Sequence, residues 1–91
     1  MSEKALHLPT PDGQAFPFGF NKDCICYWKD QRGVWMLWLP KVGLGDLSNH
    51  DVTLHPEDNT ISVSPSILVG EGWPPARQCH GFLEHGVWRD A

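Results

Sequence analysis

The chain has 91 residues, a formal net charge of −4, five tryptophans, eight prolines and nine glycines. That length suits one domain with little stability to spare, because so short a chain buries only about 60–65 % of its unfolded surface. The acidic balance and the lack of any basic run argue against a nucleic-acid surface. No apolar run approaches the roughly 18 residues that a membrane span requires.

The first residues, MSEKALHLPTPDGQ, are polar and proline-bearing, without the apolar centre of a signal peptide. A cytoplasmic protein is expected. Three cysteines fit that compartment, since a secreted domain of this size usually carries an even number in a disulfide framework. Cys24 and Cys26 stand at i and i+2. On a strand their Cα atoms would lie about 6.6 Å apart, near the upper limit for a disulfide, so free thiols are expected.

In chain order, residues 1–20 read as a flexible, extended arm, with Phe16, Phe18 and Phe20 alternating at its end in the manner of a short edge strand. A single small β domain is expected over residues 21–91. Its clearest hairpin is Cys24 to Pro40, two β-prone runs flanking the turn tetrad Asp30-Gln31-Arg32-Gly33. In the second run Val34, Met36 and Trp38 face one way and Trp35, Leu37 and Leu39 the other. Both faces are apolar, which predicts a central strand covered on both sides, with both tryptophans buried. A glycine-rich connection follows and holds at most one helical turn. Val52 and Leu54 open a strand that Pro56 stops, and Thr60 to Ser64 makes the next. Pro65 breaks that run, and Ser66 to Val69 resumes it. After the loop GEGWPPARQ a closing hairpin pairs Cys79–Glu84 with Val87–Arg89 across His85-Gly86. The expected fold is mostly β, a small antiparallel meander sheet or an open barrel.

Two features carry chemistry. Ser64-Pro65-Ser66 interrupts a strand, and thirteen residues beyond comes Cys79-His80-Gly81-Phe82. Serine and proline are ordinary at a strand end, and a histidine in a strand is ordinarily a half-buried sheet residue. The functional alternative is geometric. Cys79 and His80 point to opposite faces of a strand, so they have different neighbours. A proline kink lifts Ser66 towards His80, and a serine becomes a nucleophile when a histidine accepts its proton. No orienting acid is evident: Glu84 lies about 13 Å along the strand from His80, and Asp51, Asp58 and Glu71 cannot be ranked. The second feature is a candidate zinc site. Cys24, Cys26 and Cys79 supply three thiolates, and His80, His55 or His50 would complete a tetrahedron. Three cysteines acting as small hydrophobes explain the same residues.

The pattern W-x-L-W-x-P, T-I-S-V-S-P-S-I and C-H-G-F-L-x-x-G-V-W resembles a group of small uncharacterised proteins of bacteriophages and prophages. More distantly it is similar to the peptidase component of bacterial ubiquitination-like operons, which carries a C-P-C-G-C segment, an S-L-S-P-S-[IV] strand and a C-x-S-H-F ending. The likeness runs from about Cys24 to Trp88. It places Ser66 on the serine after the proline, His80 on the histidine, Gly86 on a glycine, and Cys24 and Cys26 on two of the cysteines. Tyr27-Trp28 stands where that segment's last glycine and cysteine would fall, and Cys79 directly precedes the histidine instead of standing three before it.

The resemblance implies a small Ser66/His80 hydrolase in the cytoplasm of a bacterial host. Its substrate would be the tail of a ubiquitin-like protein or its conjugate, with backbone amides near Ser66 holding the oxyanion. The alternative is a non-enzymatic phage accessory protein that occupies a host protein, such as a defence component, through exposed Trp73 and Trp88. Neither reading involves nucleic acid or membrane.

Overall fold

A computed structural model describes residues 2–70 and 72–91. The protein is mostly β, built from small antiparallel and mixed sheets, with no closed barrel among the described residues. The strands are β1 (Ser2–Lys4), β2 (Leu6–His7), β3 (Cys26–Lys29), β4 (Trp35–Leu39) and β5 (Gly43–Asp46) in the first half. The second half holds β6 (Asp51–His55), β7 (Thr60–Ser64), β8 (Ile67–Val69), β9 (Cys79–Glu84) and β10 (Val87–Asp90). They form one sheet in the order β1-β10-β9-β8, another in the order β2-β3-β4-β5, and a two-stranded ribbon β6-β7. A single 3-10 turn, Pro75–Arg77, is the one helical element among the described residues, and no helix is long and apolar enough to cross a membrane.

The hairpin of β3 and β4 forms where the sequence predicts it, with Cys26 opposite Trp38 and Lys29 opposite Trp35. Its turn is fastened by Asp30, whose Oδ1 accepts the backbone N–H groups of Arg32 and Val34, both at 2.9 Å. Those hydrogen bonds, that from Val34 foremost, hold the Asp30 carboxyl below its ordinary pKa.

Strand β4 is central, between β3 and β5. One of its faces sends Leu37 and Leu39 into the main core, and Trp35 packs against the edge of that core. The other face is covered by aromatic residues from the N-terminal segment. Phe16 and Phe20 meet Trp38 edge-on at 6.0 and 5.1 Å, and both rings also reach buried Trp28. Trp35 and Trp38 are thus half-buried at the margins, and the fully buried tryptophan of this sheet is Trp28.

Three further elements differ from the expectation. The N-terminal arm has no strand at its phenylalanines. Instead its first residues enter both sheets, β1 against β10 and β2 parallel to β3, with Ala5 buried between them. The glycine-rich connection holds strand β5 in place of a helical turn, because it lies against a central strand that supplies a ready ladder. Trp88 is only 3 % exposed and belongs to the core, which corrects the expectation of an exposed binding tryptophan. Its indole lies over Gly81, where an added Cβ would come within 2.5 Å of the ring and of the Arg89 carbonyl.

The main core gathers Ile25, Tyr27, Leu37, Ile61, Val63, Ile67, Leu83 and Trp88 from both sheets and the ribbon. Strands β7 and β8 supply Ile61, Val63 and Ile67, all pointing inwards. The residues alternating with them face outwards, and the candidate site residue Ser66 stands beside them.

Candidate functional site

Pro65 marks the place where one run of chain changes partners. Before it, β7 pairs with β6, so that Ser64 stands opposite Asp51. After it, β8 pairs with β9, with Ile67 opposite Gly81 and Leu68 opposite His80. The Ser64–Pro65 peptide is cis. Proline has no N–H to lose from either ladder, which suits it to this crossing between sheets. Ser66 precedes β8, and because Ile67 faces the core, Ser66 faces outwards with Leu68. It is therefore the diagonal neighbour of His80, a relation that brings side chains within reach across paired strands.

The contact is direct. Ser66 Oγ lies 2.9 Å from His80 Nε2, on an exposed part of the surface. The backbone carbonyl of Ser66 is 3.2 Å from His50 Nε2, so two histidines hold the same residue, one at its hydroxyl and one at its main chain. His50 Nδ1 is buried and unpartnered among the described residues, which fits a ring whose Nε2–H donates to that carbonyl. The sequence marked His50 only as a spare metal ligand. Its contact with Ser66 spans sixteen residues and no local pattern announces it.

Among the described residues, no carboxylate bonds to the His80 ring. Glu84 pairs with Arg89 at 3.2 Å, and Asp58 lies 3.8 Å from His85 Nδ1. Asp51 lines an open hollow of about 390 Å³ beside Ser66, together with Ser62, Ser64 and Phe82. Glu71, the remaining candidate acid, lies outside the described residues.

The three cysteines are free but do not gather into a metal centre. Cys26 is fully buried on β3, and its thiol faces the carbonyls of Asn21 and Cys24 at 3.6 and 3.5 Å. Cys79 opens β9 in the other sheet, with Asp90 and Lys41 as its charged neighbours. Burial pushes both thiols up in pKa, and a proximal acid or thiol pushes the same way.

The group that could hold a metal ion is elsewhere. His55, Glu57 and His85 each offer a ligand atom, all within 4.8 Å of one another. His55 ends β6, Glu57 sits in the following turn, and His85 is in the turn between β9 and β10. His85 and Gly86 both have positive φ, 47° and 74°, which closes the tight hairpin and lays the His85 ring on His55. The rings stack at 3.8 Å, inclined by 13°.

Comparison with protein-family models, with curated proteins and with solved structures finds no match to this chain.

Proposed function

We propose that the protein is a small serine hydrolase of phage type, with Ser66 as nucleophile and His80 as general base. The observation that carries this reading is the 2.9 Å contact between Ser66 Oγ and His80 Nε2 at the open surface. That spacing lies within the hydrogen-bond reach required of a base. The Ser66 O–H donates to Nε2, which places the imidazole's own proton on Nδ1. As Oγ attacks an acyl carbon, its proton passes to Nε2. His80 then gives that proton to the departing amine or alcohol, and water attacks the Ser66 ester by the same path in reverse. His50 holds the nucleophile's backbone while the side chain reacts.

The pair has no carboxylate behind it among the described residues. In a triad, disabling that acid lowers turnover by about 10⁴. A dyad of this kind suits activated esters and the slow cleavage of one favourable peptide bond. The open hollow beside Ser66 accommodates an extended chain better than an enclosed small molecule. Together with the motif resemblance, this supports the tail of a ubiquitin-like protein or its conjugate as substrate.

The second reading is a phage accessory module that binds a host defence protein. It is favoured by exposed Leu68, directly opposite His80, and by Trp73, which is 47 % exposed. A fluorophosphonate probe decides between the two. Covalent labelling of wild type and none of Ser66→Ala supports the hydrolase. A wild-type protein that stays unlabelled leaves the binding module.

A further inference from the structure

The end of β6, the turn after it and the turn after β9 bring together two histidines and a carboxylate that the hydrolase reading does not use. We propose that His55, Glu57 and His85 form a surface site for a divalent cation of the zinc class. The site is independent of the three cysteines and stands whether or not Ser66 is a nucleophile.

The donor set is the first argument. Two imidazoles and one carboxylate match the ligands of open zinc sites, in which a fourth position is left to water or substrate. Magnesium and calcium, which favour all-oxygen shells, are disfavoured by it.

The second argument is distance. Ligand atoms about 2.0–2.1 Å from a tetrahedral ion lie roughly 3.3 Å from one another. His55 Nδ1 and Glu57 Oε1 are already 3.7 Å apart. The three ligand atoms lie within 4.8 Å. Because the two rings are stacked, the His85 ring, on a side chain 59 % exposed, must turn out of the stack for both lone pairs to meet one ion.

The third is the way the rings are held. A metal-binding histidine commonly fixes its tautomer by donating its other ring N–H to a polar group. His55 Nε2 is 2.7 Å from Ser62 Oγ, and the same oxygen accepts the backbone N–H of His85 at 2.9 Å. With Nε2–H donating to Ser62, the lone pair of His55 Nδ1 faces Glu57. Asp58 Oδ2 stands 3.8 Å from His85 Nδ1, near the second ring but beyond hydrogen-bond distance. One serine thus fastens both histidines, one by its ring and the other by its main chain.

The test is titration of the chelator-treated full chain with zinc alone at neutral pH, by calorimetry, with histidine ring signals followed by NMR. One equivalent should bind, moving the signals of His55 and His85 and leaving those of His80. His85→Asn should abolish binding with the fold intact, since asparagine tolerates the positive φ at that turn. Glu57→Gln should weaken it, and Ser62→Ala should weaken it by about 10–100-fold, the usual effect of removing a residue that orients a ligand. Replacing Cys24 and Cys79 by serine, in protein shown to be folded, should leave zinc binding unchanged. The site is overturned if millimolar zinc does not bind, if His85→Asn binds as wild type does, or if the cysteine replacements abolish binding.

Discussion

Two serine–histidine contacts stand at the two ends of one hollow, and they are built differently. At one end Ser66 Oγ meets His80 at 2.9 Å, with no other hydrogen bond to that hydroxyl among the described residues. At the other, Ser62 Oγ meets His55 at the shorter distance of 2.7 Å but also accepts the His85 N–H. A hydroxyl whose lone pairs already serve two donors is a structural post, and its electron density is not free for attack. Ser66 has its lone pairs open and its proton directed at a base. The shorter hydrogen bond therefore marks the less reactive serine, and the count of partners separates the roles better than distance does.

The largest expected effect is on reactivity. His80→Ala should eliminate fluorophosphonate labelling of Ser66 and reduce any hydrolysis by about 10³-fold or more, the scale on which loss of a catalytic base is felt. His55→Ala, which removes the equivalent ring at the other end, should leave labelling within about twofold on the same reasoning. Equal loss in both variants, measured on folded protein, would erase the distinction.

The next effect is on folding. Gly81 lies between Cys79-His80 and Phe82, and it leaves room for the Trp88 indole. Gly81→Ala should destabilise the domain by about 3 kcal/mol, the upper part of the overpacking range, because backbone stands on one side and a buried ring on the other. Chemical denaturation measures this. A variant as stable as wild type would show that β9 and β10 can move apart, and that His80 is less firmly placed than its contacts indicate.

The smallest effect concerns the post itself. Ser62→Ala should cost about 1 kcal/mol by leaving the His85 N–H to water and untying the His55 ring. Probe labelling of Ser66 should persist. A thermal melt and a labelling time course on the same sample check both halves; loss of labelling would show that the two ends act as one unit.

Much of the fold was legible because hairpins are local. Asp30 and Gly33 mark the turn between β3 and β4, and His85-Gly86 marks that between β9 and β10, each between runs of β-prone residues. Strand β5 was not legible, since Gly43 and Gly45 depress strand propensity and only the ladder of β4 recruits them. The strands of residues 2–7 were hidden for the same reason, being short and polar until paired. Trp88 looked like a surface anchor because nothing nearby in sequence shows that Gly81, on the adjacent strand, leaves a space for its ring.

For the site, the sequence alone determined the residue types and their facing. Alternation puts Cys79 and His80 on opposite sides of a strand, and a proline must interrupt whichever ladder it enters. Tertiary structure alone decided which groups meet. The chain crosses from β6 to β9 at Pro65, which sets Ser66 beside His80 and draws His50 beneath it, while Cys26 and Cys79 lie in different sheets. It also stacks His85 on His55 across thirty residues of sequence. Period and turn type act over a few neighbours, whereas sheet pairing is a choice among distant partners, settled by which arrangement buries Ile61, Ile67, Leu83 and Trp88 together.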